Sequence, residues 1–147
     1  MEKLSIIGVF CEDIREEVGG TTTLIGLLSD TVNVNAATRG AAEKTESKFL
    51  GKLCVFVRAN FDPDNPIRIK TYLVFPDGQE LEVGSAEGDI IGKAQSDAKN
   101  KGNPLAGIVL KAILGGFSLS SDGGVVRLEA DINGERRLLG AINFVVT

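Results

Sequence analysis

Val126-Arg127-Leu128-Glu129-Ala130-Asp131-Ile132 alternates apolar with charged residues, Asn133-Gly134 follows, and Leu138 to Val146 returns as an apolar run. Alternation with period two places every second side chain on one face of a strand. Asn-Gly supplies two adjacent positions that tolerate positive φ, which is what a type I′ turn between antiparallel strands requires. The C-terminus therefore reads as a β-hairpin. Its last strand is apolar on both faces, with Leu139, Ala141 and Val145 opposite Leu138, Ile142, Phe144 and Val146. That pattern predicts a strand covered on its second side by another element or another subunit.

Working outward from the hairpin, the same alternation recurs. Leu53, Val55, Val57, Ala59 and Phe61 alternate with Cys54, Phe56, Arg58 and Asn60, and Ile67, Ile69, Thr71, Leu73 and Phe75 alternate with Arg68, Lys70, Tyr72 and Val74. Asp62-Pro63-Asp64-Asn65-Pro66 between them is a turn, because proline cannot donate to a ladder. Pro76-Asp77-Gly78 reverses the chain again into Gln79–Val83, so these three strands read as an antiparallel meander. Leu4–Cys11 and Thr22–Val34 are two further β-rich runs joined by the charged segment Glu12–Gly20. Residues 35–48 are small and polar and read as a long flexible loop. Asp89 is placed to cap a helix in which Ile90, Ile91, Ala94 and Ala98 share a face, ended by Gly102 and Pro104. Ala106–Leu119 fits either period; its β-branched residues and the Gly115-Gly116 break favour a strand.

Seven or eight short strands with Gly, Asp-Gly and Asn-Gly turns and one helix inserted near 89–102 predict a mainly β chain. The expected architecture is an antiparallel β-sandwich forming a single domain over 1–147, with a partly open β-barrel as the alternative. A length of 147 residues with 43% hydrophobic residues is enough for a real core without disulfide or metal. The chain has 18 glycines, no Trp and no His. Lacking histidine, it has neither the usual general base nor the commonest metal ligand, which excludes Ser-His, Cys-His and His-zinc chemistry. A net charge of -4 argues against an ordinary nucleic-acid binder. No stretch reaches the ~18 apolar residues of a membrane span, and the N-terminus runs into acidic residues rather than a leader's small-residue end. Cys11 and Cys54 lie in apolar runs without C-x-x-C spacing and read as buried free thiols of a reducing cytosol.

The polar candidates each have a bland reading beside the functional one. Glu12, Asp13, Glu16 and Glu17, and separately Asp62 and Asp64 with Asp77, could hold a hard cation, since Mg²⁺ and Ca²⁺ take carboxylate oxygens. A solvated connection and a plain proline turn are the preferred readings, and no metal or cofactor is expected. Arg58, Arg68, Lys70 and Arg127, with Arg137 as a further option, form a basic stripe for an anionic ligand if their strands are neighbours. The alternative is a solvated sheet face with cross-strand pairs of the Arg127 to Glu129 kind. The glycines match no phosphate-binding loop, and Ser118, Ser120, Ser121 and Asp122 read as a turn at a strand end rather than a nucleophile.

Cys11-Glu12-Asp13-Ile14-Arg15-Glu16-Glu17, followed by Leu24-Ile25-Gly26, resembles the opening of a family of short uncharacterised bacterial proteins in which a C-E-D-x-R-x-E motif precedes an L-I-G strand. Lys52–Arg58 is similar to that family's K-L-x-V strand, and the likeness continues at Asp131–Glu135; 35–48 and 85–104 look like insertions. The resemblance implies a bacterial or phage cytosolic β-sandwich and carries no activity.

Together these features lead to the expectation of a non-enzymatic, cytoplasmic binding or assembly module acting through a sheet face, inserted loops or a homo-oligomer interface, with a protein partner or self-association. Two other functions compete with it. One is a carboxylate- and metal-dependent enzyme; the other is a phage- or defence-related binder of a small anionic ligand.

Overall fold

Each strand buries one side of its alternation, and two sheets result. The computed structural model describes residues 3–34, 47–120 and 123–146. Its elements in chain order are β1 (Leu4–Glu16), β2 (Thr22–Leu27), β3 (Thr31–Val34), β4 (Ser47–Phe61), β5 (Ile69–Val74), β6 (Glu80–Ala86), α1 (Asp89–Asn100), β7 (Ala106–Ser120), β8 (Gly124–Ile132) and β9 (Glu135–Val146). A four-stranded sheet has the order β2-β1-β4-β7, and a five-stranded sheet the order β3-β9-β8-β5-β6. They are called sheet A and sheet B below. The chain is a β-sandwich with one inserted helix, and neither sheet closes into a barrel.

The core lies between the sheets. Phe10, Leu53, Val55 and Val57 of sheet A pack against Leu73, Val126, Leu128, Ile142 and Phe144 of sheet B. A second cluster fills one end, where Ala59, Phe61 and Ala106 meet Ile69, Ala130 and Ile132, and α1 closes it with Ile91 and Ala98. Burying each large apolar side chain contributes about 1.5–3 kcal/mol. Thr71 is the buried polar residue among the described side chains; its hydroxyl donates to the Gly84 carbonyl at 3.0 Å, beside the register shift between β5 and β6. A satisfied hydroxyl avoids the desolvation cost of an orphaned one.

The closing hairpin forms as the alternation implies, with Asn133 at φ 53° and Gly134 at φ 92°. The turn at Pro76–Gly78 also forms, pairing β5 with β6. The 106–119 stretch is a strand, and α1 occupies the expected place.

Five local expectations need correction. First, Leu53–Phe61 and Ile67–Phe75 do not pair: the Asp62–Pro66 turn carries the chain from sheet A to sheet B, and β5 pairs with β6 and β8 instead. Alternation gives a buried face but not the partner, and both faces of a sandwich present the same pattern. Second, the charged segment after Cys11 continues β1 to Glu16, because its partner β2 offers a ladder while the side chains stay in water. Third, Thr22–Val34 is two strands: β2 pairs with β1, and β3 crosses to run parallel to β9. Fourth, no other described element of the chain covers the outer side of β9: Leu138 is 63% exposed, and β9 is an interior strand of sheet B between β3 and β8, which leaves cover by another subunit as the other half of that expectation. A register shift between Leu128 and Glu129 turns Leu139 inward and Leu138 outward. Fifth, Gly88 rather than Asp89 occupies the helix cap, at φ 62°, and Ile90 points to solvent. The loop expected over 35–48 falls on 35–46, outside the described residues, and on 47–48, which belong to β4.

Candidate functional site

The two outer faces of the sandwich differ in chemistry. On sheet B, Arg127 pairs with Glu129 at 3.0 Å, and Arg136 bridges Glu129 at 3.2 Å and Glu80 at 3.1 Å. The Arg136 guanidinium also lies 4.1 Å from the centre of the Tyr72 ring, a cation–π contact. Glu80 holds the Arg136 guanidinium above even its usual high pKa by accepting its hydrogen bond. Beside these pairs, Leu81, Val125, Leu138 and Val145 of the same sheet are exposed.

On sheet A the outward register rows are different. Ser5, Asn60 and Gly107 form one row; Ile7, Arg58 and Val109 the next; Val9, Phe56 and Lys111 the third; Cys11, Cys54 and Ile113 the fourth. Ile7, Val109 and Ile113 are exposed, as is Leu27 opposite Cys11 on β2. Arg58 stands in the middle of the second row and makes no ion pair among the described residues.

The β1–β2 hairpin supplies a rim to this face. Gly26 has φ 65° and lies against Glu12, where an added Cβ would meet the Glu12 carboxylate at 2.5 Å. A positive φ within a strand bends it. The hairpin end reaches across the sheet: Glu16 pairs with Lys111 of β7, and Thr22 shares a groove with Phe56, Arg58, Asn60, Gly107, Ile108 and Val109. Cys11 and Cys54, although outward of the core, are fully buried, and the Cys54 thiol donates to the Glu12 carbonyl at 3.5 Å. Burial raises both thiol pKa values, and the neighbouring Cys54 adds to the effect at Cys11.

The groove is open to solvent and has a volume of about 430 Å³, within the range of small-molecule sites. Its lining offers a guanidinium, an amide, a hydroxyl and apolar walls. Among the described residues its lining holds no carboxylate, thiol or imidazole.

The expected basic stripe is not assembled. Arg58 is on sheet A, whereas Arg68 precedes β5, Lys70 is on β5 and Arg127 on β8, all in or beside sheet B. Lys70 lies opposite Asp131 and Arg127 opposite Val74, four residues further along, and Arg127 is occupied by Glu129. The alternation of charges was common to both sheets, so it could not show that β4 and β5 part company.

The acidic candidates are engaged locally. Asp13 accepts from Lys52 at 2.6 Å and Arg15 at 3.4 Å; the Lys52 ammonium holds its carboxyl below the usual range. Glu12 is exposed beside Gly26. Asp62 accepts from the Asp64 amide and from Asn65, and Asp64 pairs with Lys99 at 3.4 Å. Among the described residues no group of three or more His, Cys, Asp or Glu is placed to hold a metal ion.

Thr22, Asn60 and Val109 were not singled out in the sequence, and only the apolar outward set of β7, Val109 and Ile113, signalled this face. No family model matches the chain, and no curated protein matches it. Among the described residues no helix is long and apolar enough to cross a membrane.

Proposed function

We propose that the chain is a non-enzymatic binding module that takes a small, partly apolar ligand in the groove on the outer face of sheet A. The observation that carries this reading is an opening of ligand size on sheet A that holds Arg58, which has no ion pair among the described residues, beside the exposed Ile7, Val109 and Ile113; sheet B also exposes Leu81, Val125, Leu138 and Val145, but its Arg127 and Arg136 are paired with Glu129 and Glu80. Exposed apolar residues gathered on one face of a small protein mark a contact surface. A groove without a general base supports binding rather than turnover. Two free buried cysteines fit a reducing, cytosolic setting.

Titration with a neutral solvatochromic dye such as Nile red tests the reading. The folded protein binds the dye, Val109→Asp and Ile7→Asp abolish the signal, and Leu138→Asp on sheet B leaves it unchanged, with circular dichroism confirming that all three variants fold. Dye binding that is absent, or indifferent to Val109 and Ile7, overturns it. Ile113 and Leu27 extend the apolar surface past the groove and favour self-association as a second reading. Light scattering that shows a dimer dispersed by Ile113→Asp but not by Val109→Asp would select it.

A further inference from the structure

We infer that the groove selects an amphiphilic monoanion, a molecule with one carboxylate head and an apolar body; this rests on the binding reading above. Arg58 provides the head contact. Its planar guanidinium fork matches a carboxylate with two parallel hydrogen bonds. Among the described residues no acid pairs with it. Glu16, which the hairpin brings over this face, is taken by Lys111, and Asp13 by Lys52 and Arg15.

The neighbours complete the chemistry. Asn60 follows two residues later on the same side of β4, about 7 Å along the strand, and Thr22 faces the groove from the hairpin. Asn60 carries the amide donors for a carboxylate oxygen that Arg58 leaves unbound, whereas the Thr22 hydroxyl donates to Glu16 at 3.3 Å and shapes the wall. Ile7 and Val109 flank Arg58 in its own register row, and Phe56 forms the wall one row on. Three adjacent strands span about 10 Å, which gives an extended apolar body room to lie beside the cation.

One cation matches one negative charge. A polyphosphate or nucleic-acid backbone needs several cations, and Lys111 is already neutralised by Glu16. A second copy of the chain laid face to face brings no free carboxylate from these rows to Arg58, so burying Arg58 that way would leave its charge uncompensated. A small amphiphilic carboxylate satisfies the guanidinium and covers the apolar flanks together.

Calorimetry with octanoate and octanol, probes that share a body and differ in the head, tests the inference on wild type, Arg58→Gln and Val109→Asp. Octanoate binds wild type about tenfold or more tighter than octanol, the scale of one charge-assisted hydrogen bond. Arg58→Gln removes that preference, so that the two probes bind it alike, and Val109→Asp abolishes the binding of both. Equal affinity for the two probes, or a preference that survives Arg58→Gln, overturns the anion selectivity while the binding reading stands. Failure of both probes and of the neutral dye to bind overturns the two together.

Discussion

Cys11 and Cys54 stand directly opposite each other on β1 and β4, both fully buried beneath the bent β1–β2 hairpin and both free thiols. Burial keeps them neutral above the ordinary thiol pKa of 9.0. The unfolded chain ionises them first, so native stability is unaffected by these groups below about pH 9 and falls as pH rises from there toward their folded values. Urea unfolding of wild type and of a Cys11→Ala/Cys54→Ala variant checks the sign: the wild-type midpoint drops more steeply above pH 9. A thiol reagent at pH 8 labels both sites slowly in the native state and at once in denaturant; rapid native labelling would contradict the cover given by the hairpin.

The outer face of sheet B makes a different prediction. Arg136 joins Glu80, Glu129 and the Tyr72 ring, while each of its ion pairs is partly in water. Exposed pairs contribute little singly, and a network with a cation–π contact contributes more. Arg136→Ala therefore lowers stability by about 1 kcal/mol. Arg136→Lys recovers less than half of that, because a single ammonium cannot bridge two carboxylates and stack on the ring. Denaturant midpoints at low and high salt check it, the difference shrinking with salt.

What the sequence disclosed and withheld follows from the range of each signal. Asn133-Gly134 and Pro76–Gly78 act on adjacent residues, so both turns are legible. The inward set of β4 is equally plain, since Leu53, Val55 and Val57 must find apolar partners. Which sheet those partners belong to depends on contacts between distant segments, and Asp62–Pro66 looks the same whether it joins two neighbours or crosses between layers. That ambiguity dispersed the proposed arginine stripe. It also hid the groove, whose lining comes from β2, β4 and β7 and is assembled by the bend at Gly26.

Gly8 shows how tightly β1 lies on sheet B. A Cβ built there would come within 2.6 Å of Leu128 Cδ2 and 3.2 Å of Leu139 Cβ, and Leu128 is fully buried and cannot swing aside into solvent. Gly8→Ala therefore destabilises the fold by about 1–3 kcal/mol through overpacking. Gly78→Ala, at a position with open space around it, suffers only the backbone penalty of its φ of 87°. A thermal melt distinguishes the two causes: pairing Gly8→Ala with Leu128→Val restores part of the loss, whereas the same partner leaves Gly78→Ala no better.

Asn133 links the closing turn to the start of the neighbouring β5, at the same end of sheet B, by two means that can be separated. Its φ of 53° is one that asparagine and glycine tolerate better than other residues, and its side-chain oxygen accepts the Arg68 amide at 2.9 Å while its own amide donates to the Arg68 carbonyl at 3.0 Å. Asn133→Gly keeps the backbone conformation and loses the side-chain acceptor, so it costs about 1 kcal/mol. Asn133→Ala loses the acceptor and also strains the turn, for a total of about 2–3 kcal/mol. Equilibrium unfolding of both variants measures the two contributions by difference. Equal losses would show that the positive φ carries no strain for alanine here. A neutral Asn133→Gly would show that the bridge to Arg68 does not hold the segment before β5 against the hairpin.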